Sequence, residues 1–257
     1  MGDNLNYDRG MGPEKNWIIE ETRFDPEHTG KCEAIFAQGN GYLGLRNSLE
    51  EDYVKTKRDL FAAGTFNKAS ADEVTELPNI PDIVNMELKL DGERFYMTGE
   101  NTDQYSRILN MYTGETDRSL SWKGEGTGCV RICFHRFVSF ANVHIVGSYA
   151  EITPLDQDVT VDVKSGIDGQ VTNSGAQHFV EVTKRAFDET YLQFIAETTQ
   201  SKVTVAVHTA HRCLMDGVLC VPEESRIADD RRRVYGCFKQ RILKGQTFRI
   251  EKLSAIN

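Results

Sequence analysis

The sequence predicts an all-β protein, a sandwich or barrel with few or no helices. Apolar and polar residues alternate over short stretches, and Thr and Val are frequent where the alternation is clearest, as a half-buried pleated surface favours. Gly and Asn turns separate these stretches at intervals of ~8–12 residues. No segment has the apolar spacing of an amphipathic helix longer than about two turns. This pattern is typical of sheets that bury one face each.

The predicted elements follow one another along the chain. Residues 86–97 form a hairpin that turns at Asp91 and Gly92, because this dipeptide favours a two-residue turn. Single strands are predicted at residues 130–138, 143–152, 159–164, 191–196 and 203–208. Residues 242–253 are predicted to form the last hairpin. The mixed charges of residues 223–233 indicate a solvated loop.

Size, charge and composition exclude several classes of function. The 257 residues suffice for one large β domain or two small ones. With 30 Lys and Arg against 39 Asp and Glu, the net charge of −9 argues against nucleic acid or an anionic membrane as the main partner. No apolar run approaches the ~18 residues that cross a bilayer, and the first residues lack the pattern of a secretory signal. Six cysteines are too few for a disulfide scaffold, so we expect reduced thiols and a cytoplasmic location.

Three sequence patterns suggest chemistry without establishing a site. Residues 39–44 match the G-x-G-x-x-G pattern of a dinucleotide site, but no βαβ units follow, so a tight turn with a glycine at positive φ is favoured. His208 and His211 lie near two cysteines and could bind zinc, but on a strand they point to opposite faces. Adjacent acids such as Glu50 and Glu51 do not make an acid/base pair, which must face one bond from opposite sides. These motifs alone indicate no active site.

Seven segments carry a family resemblance when they are taken together. They are residues 17–25, 33–46, 76–82, 90–95, 105–111, 136–139 and 165–179. In this order they resemble the N-terminal domain of glycoside hydrolase family 65, which contains the inverting phosphorylases of maltose, trehalose, kojibiose and nigerose. The strings at 78–82 and 172–179 are most similar to the maltose phosphorylase branch. Residues 114–118 depart from the pattern, because an apolar residue is expected near Thr116.

The resemblance implies a large β-super-sandwich of the galactose-mutarotase type over residues 17–257, preceded by a flexible segment at 1–16. It also implies a longer enzyme, in which a helical linker, a catalytic (α/α)6 barrel and a small β domain follow. The general-acid Glu and the phosphate-binding residues belong to that barrel, so we expect no catalytic residue in this chain. The whole enzyme would convert maltose and its co-substrate, inorganic phosphate, to β-glucose 1-phosphate and glucose. The resemblance implies a homodimer and neither a metal nor an organic cofactor.

Three turns are expected to face the barrel or the substrate entrance, at residues 39–46, 77–82 and 172–178. The candidate residues in them are Asn40, Tyr42, Arg46, Asn79, Asp82, Gln177 and His178. The alternative is that each turn only holds the sandwich together.

Two other functions are compatible with the same fold class. A free-standing carbohydrate-binding sandwich needs an exposed platform of aromatic rings, but Trp17, Trp122 and Tyr191 are dispersed along the sequence. A mutarotase-like enzyme needs a carboxylate and histidines that converge in one cleft. The candidate histidines are His135, His144, His178, His208 and His211.

Overall fold

The computed structural model describes residues 4–53 and 56–257, and these consist mostly of β-strands. The strands are β1 (Leu5–Asn6), β2 (Ile18–Glu21), β3 (Gln38–Gly39), β4 (Leu43–Leu45), β5 (Leu60–Ala62), β6 (Met86–Leu90), β7 (Glu93–Arg94), β8 (Thr102–Asn110), β9 (Glu115–Lys123), β10 (Cys129–Val138), β11 (Ile145–Pro154), β12 (Val159–Asp168), β13 (Phe179–Ala186), β14 (Tyr191–Thr198), β15 (Thr204–Met215), β16 (Val218–Cys220), β17 (Glu224–Asp230), β18 (Arg233–Ile242) and β19 (Phe248–Ile256). Within the described ranges, helical structure is confined to α1 (Thr29–Ile35) and a 3-10 turn at Gly12–Glu14. The all-β prediction is confirmed.

Two antiparallel sheets make the sandwich. Among the described residues, the larger sheet has eleven strands in the order β1-β2-β8-β9-β10-β11-β19-β15-β14-β13, with β16 paired to β15. The smaller sheet has the order β17-β18-β12-β6-β7, and β3-β4-β5 form a third sheet. Alternate residues of β10, such as Ile132, share one buried cluster with alternate residues of β12, such as Val161 and Val163. The predicted period-two alternation therefore gives each sheet the apolar face that packs on the other.

The first predicted hairpin and the paired strands that follow it are present. The hairpin at 86–97 is β6–β7, and Asp91 (φ 51°) and Gly92 (φ 84°) both adopt the positive φ that its tight turn requires. The predicted strands at 130–138 and 143–152 are β10 and β11, which pair antiparallel from Val130 opposite Pro154 to Val138 opposite Val146.

The predicted hairpin at 242–253 is wrong. β18 pairs with β12 and β17 in the smaller sheet, whereas β19 pairs with β11 and β15 in the larger one. The residues between these strands therefore cross from one sheet to the other. A hairpin and a crossing between sheets give the same local pattern of two alternating stretches and a turn, because each strand buries one face whichever sheet it joins.

Two further segments differ from the expectation. The charged run at 223–233 is solvated, but it forms β17 and the start of β18, an edge hairpin whose ladder joins Glu224 to Lys239. Part of the segment expected to be flexible is paired, because β1 bonds to β2 and Leu5 is buried. Residues 1–3 lie outside the described residues.

The glycine pattern at 39–44 forms the turn of the β3–β4 hairpin, as predicted. Gly41 has a φ of 90°, and an added Cβ there would meet no atom within 4 Å. Any cost of a side chain at Gly41 therefore comes from backbone strain rather than from a clash. Gly44, in the same hairpin, also has open space at its Cβ position but no positive φ.

We expect Gly41→Ala to lower the free energy of unfolding by about 1–3 kcal/mol, because an L-residue at this φ is strained. The matched control Gly44→Ala should change it by less than about 0.5 kcal/mol. Urea unfolding followed by circular dichroism measures both. Equal effects at the two positions would show that Gly41 does not require its positive φ.

Candidate functional site

The candidate residues of the first turn, 39–46, make contacts within the sandwich. The Asn40 side chain accepts the backbone N–H groups of Tyr42 (3.0 Å) and Leu43 (2.8 Å), and it donates to the backbone carbonyls of Ser139 (2.7 Å) and Val143 (2.9 Å). Asn40 therefore ties the β3–β4 turn to the β10–β11 turn.

Tyr42 and Arg46 extend this packing on either side. The Tyr42 ring lies 4.6 Å from the ring of His144, whose Nδ1 is 2.7 Å from the carbonyl oxygen of Ile256. Arg46 donates from Nε to Glu33 (3.1 Å) and from Nη2 to a backbone carbonyl of α1. The turn thus lies beside the end of β19. Contact of these residues with a following domain stays a prediction.

The second and third turns meet at one cleft. The backbone N–H of Asn79 donates to Asn173 Oδ1 (2.7 Å), and Asn79 Nδ2 donates to Asp59 (2.9 Å) and to the carbonyl of Thr172 (3.2 Å). Asp82 accepts the backbone N–H of Val84 (2.7 Å). Asn79 and Asp82 both line the cleft, so the structure brings these two predicted residues together.

His178 contacts Glu76 of that cleft, and Gln177 lies in a separate one. His178 is 2% exposed, its Nδ1 is 3.1 Å from Asn67 Nδ2, and its Nε2 is 3.0 Å from Glu76 Oε1. Both ring nitrogens are therefore occupied, as expected for a histidine that holds a turn. Gln177 donates to the carbonyl of Phe179 (3.1 Å) and lines a second, smaller cleft of about 270 Å³.

The larger cleft has a volume of about 800 Å³ and a polar wall. Its floor includes Lys164, Asp168 and Tyr235, on the outer face of the five-stranded sheet. Arg233 Nε donates to Asp168 Oδ2 (2.8 Å), and the hydroxyl of Tyr235 donates to the same oxygen (3.3 Å). Sequence reasoning missed these floor residues, although Lys164 is the last polar position in the alternation of the strand predicted at 159–164.

A buried ion cluster lies where Glu50 and Glu51, which follow β4 in the chain, meet strands β9 and β10. Arg118 donates to both carboxylate oxygens of Glu51 (2.6 Å each) and to Glu50 Oε2 (2.7 Å), and Arg136 also pairs with Glu50. Burial opposes ionisation of Glu50, but the charges of Arg136 and Arg118 outweigh it and lower the pKa of Glu50 to about 2. Glu50 therefore acts as a structural anion rather than as a proton donor.

Thr116, where an apolar residue was expected, belongs to the same region. Its hydroxyl accepts from Asn47 Nδ2 (3.1 Å) and lies 3.4 Å from the carbonyl oxygen of Arg136. Arg107 donates to Asn47 Oδ1 (2.9 Å). The polar residue is therefore accommodated because its buried hydroxyl is hydrogen-bonded.

The five candidate histidines do not converge. The imidazole of His135 bonds to Asp117 (2.7 Å), that of His208 lies 2.7 Å from the amide nitrogen of Gln193, and His211 lies 3.1 Å from the buried Ser165 hydroxyl. His208 and His211 thus have separate partners, on opposite faces of β15. Across residues 4–53 and 56–257, no group of three or more His, Cys, Asp or Glu side chains is placed to hold a metal.

The aromatic residues considered for a sugar platform are also apart. Trp122 is 1% exposed, and Trp17 packs against Tyr112 with ring centroids 6.3 Å apart. Tyr191 stacks instead on Phe187, at 5.0 Å. Over the part of the chain that the structure describes, no helix is both long and apolar enough to span a membrane.

Comparison with known proteins identifies the family. Residues 19–257 match the sequence family described as "Glycosyl hydrolase family 65, N-terminal domain". The chain belongs to this family. The match covers nearly the whole chain, so the resemblance carried by the seven segments is confirmed.

The relatives of this family 65 domain are longer proteins. The chain is 39% identical over 248 residues to a kojibiose phosphorylase of Halothermothrix orenii, and the match covers 96% of this chain and 32% of that protein. It is 33% identical over 235 residues to a kojibiose phosphorylase of Escherichia coli K12, and the match covers 91% of this chain and 30% of that protein. The chain therefore spans about a third of the length of these curated relatives.

A solved structure shares the fold. The structure described as "Putative kojibiose phosphorylase from human microbiome" superposes with a TM-score of 0.83 at 14% sequence identity, over 99% of this chain and 33% of that one. At this identity the likeness shows the fold of the family 65 domain.

We expect Glu50→Gln to destabilise the domain by about 3–5 kcal/mol at pH 7, because it leaves two buried guanidiniums without a full partner. The control Glu197→Gln, which loses the more exposed pair with Lys202 (3.2 Å), should cost less than about 1 kcal/mol. Urea midpoints at pH 7 compare the two. Equal costs would contradict a special role for Glu50.

The acid limb of the stability curve tests the same carboxylate. The pKa of Glu50 in the fold, about 2, lies below its unfolded value of about 4.3. The ionised carboxylate therefore stabilises the fold fully above about pH 4.3, and this stabilisation is lost as the pH falls toward 2. In the Glu50→Gln variant this loss should be absent from the pH 5 to pH 2 profile.

Lys252 supplies a second pH signature from the core between the sheets. Its Nζ donates to the carbonyl of Gly166 (2.7 Å), and burial lowers the pKa of Lys252 to about 7, with Arg58 and Arg136 acting in the same direction and Asp82 opposing. The unfolded state then binds more protons than the fold between pH 7 and about 10.4, so this residue makes stability rise with pH in that window. We expect Lys252→Met to flatten the rise between pH 7 and 8.5, measured by urea unfolding. Identical slopes in both proteins would contradict the lowered pKa.

Proposed function

We propose that this chain is the non-catalytic N-terminal domain of an inverting α-glucosyl disaccharide phosphorylase. The observation that carries the proposal is the family match over residues 19–257, together with relatives about three times as long that are named as phosphorylases. The ion cluster supplies no proton donor, because Arg118 and Arg136 keep Glu50 ionised. The catalytic barrel would therefore lie in the part of the protein that corresponds to the rest of those relatives.

The favoured substrate is kojibiose. Two relatives at 39% and 33% identity are named as kojibiose phosphorylases, and this outweighs the strings at 78–82 and 172–179 that favoured maltose. Maltose is the second candidate because those strings remain in the sequence. In either reaction a Glu of the barrel donates a proton to the glycosidic oxygen while phosphate attacks the anomeric carbon from the opposite face. The products are β-glucose 1-phosphate and glucose.

The domain would contribute position rather than chemistry. Asn257 exchanges backbone hydrogen bonds with Ala206, and Ile256 bonds to His144, which packs on Tyr42. A chain that continues from this strand end starts beside the 39–46 turn, so we place the barrel contact there. A cytoplasmic homodimer without metal or organic cofactor completes the proposal.

Two measurements test the proposal. Sequencing the coding region past codon 257 should show a frame that continues for several hundred helix-rich residues; a stop codon at 258 would overturn it. The complete enzyme should release glucose 1-phosphate from kojibiose only when phosphate is present, with maltose, trehalose and nigerose as comparison substrates.

We expect the 257-residue chain alone to show no phosphorolysis of any of these four sugars, because the resemblance to family 65 assigns the general acid to the barrel. Glucose release is assayed with and without phosphate, using the complete enzyme as the positive control. Phosphate-dependent release by the purified chain would contradict its assignment as non-catalytic.

A further inference from the structure

The outer face of the five-stranded sheet forms a continuous groove. The larger cleft, of about 800 Å³, shares Glu87 and Lys164 with a neighbouring cleft of about 370 Å³ that extends toward β17. Glu87 on β6 and Lys164 on β12 are direct cross-strand partners, so the two clefts meet in the middle of the sheet. Both volumes fall in the range of small-molecule sites in proteins, about 300–1,000 Å³.

The wall of this groove is already held in place without a ligand. Arg58 has an 11% exposed side chain and donates to Asp52 (2.8 Å) and to the backbone carbonyl of Glu50 (2.8 Å). Asn79 and Asn173 join the loops on the other side (2.7 Å). Groups ordered before binding reduce the entropy that a ligand must overcome.

The groove is polar but electrically balanced. Among the described residues, six acidic and five basic ones line the larger cleft, and the smaller cleft adds two acidic and three basic ones, which makes eight of each. A cleft with equal numbers of both signs gives no net attraction to an anion or a cation. It presents many donors and acceptors side by side, so hydrogen bonds can hold a ligand whose hydroxyl groups both donate and accept, without the aromatic platform on which a sugar ring would stack.

Lys164, on the floor of the larger cleft, keeps hydrogen-bond donors available to a ligand. The Lys164 ammonium lies over the Tyr235 ring, 4.6 Å from its centroid. A cation held by a ring face keeps N–H donors for hydroxyl groups. Phe61 adds an apolar surface to the same cleft.

We propose that this groove binds a neutral oligosaccharide along the outer face of the five-stranded sheet. The groove is longer than one pocket, so an oligosaccharide of several units fits it better than a disaccharide. Binding needs neither phosphate nor a general acid, so the site can be tested in the 257-residue chain.

Isothermal titration with maltoheptaose in phosphate-free buffer tests the proposal. We expect saturable binding with a Kd of about 0.1–1 mM. The double variant with Glu87→Ala and Lys164→Ala should weaken it at least tenfold, and its melting curve should stay close to that of the parent because both side chains lie on the outer face. The matched double variant with Glu197→Ala and Lys202→Ala removes an ion pair that does not line the groove and should bind as the parent does.

Each other outcome overturns the proposal. No saturation up to about 10 mM maltoheptaose excludes a neutral-sugar site of this affinity. Tighter binding of sulfated maltoheptaose than of the neutral sugar would show an anion site. Equal weakening by both double variants would place binding elsewhere. None of these results bears on phosphorolysis, which is assayed separately with phosphate and the complete enzyme.

Discussion

Two carboxylates buried beside two guanidiniums fix the loop at residues 46–53, after β4, to the larger sheet. Glu50 and Glu51 lie in this loop, whereas Arg118 and Arg136 lie on the neighbouring strands β9 and β10. A buried charge that loses its partner costs several kcal/mol, so the loop has one favourable position. Arg58 then donates to the backbone carbonyl of Glu50, which connects this anchor to the wall of the groove. The geometry of the outer cleft therefore depends on an ion cluster inside the protein.

The sandwich is closed by chain crossings and by close backbone contacts. The crossing between β18 and β19 joins the two sheets directly, and Lys252 of β19 donates to the carbonyl of Gly166 in the opposite sheet. A Cβ at Gly166 would collide with the Val234 carbonyl, so this position also requires glycine. Burial of the His211 imidazole lowers its pKa to about 3, and the charge of Lys252 acts in the same direction.

Family membership is shown by the comparisons, and the positions of the candidate residues are shown by the fold. The comparisons assign the chain to family 65 and show that its relatives are about three times longer. The contacts of Asn40, Arg46 and His178 hold turns of the sandwich, while Asn79 and Asp82 line the larger cleft. In the proposed enzyme the domain would contribute shape and position, since the general acid is assigned to the barrel.

The sequence by itself determined the all-β class, the β6–β7 hairpin and the family, because period-two alternation, the Asp91–Gly92 turn and ordered family strings are local signals. It did not determine which sheet β18 and β19 join, since a hairpin and a crossing have the same local pattern. The sequence indicated that Glu50 and Glu51 are not an acid/base pair. It could not show their arginine partners, which lie 67 to 86 residues away in the chain. Only the tertiary structure decided these points, because ion pairing, sheet partners and the floor of a groove depend on contacts between distant residues.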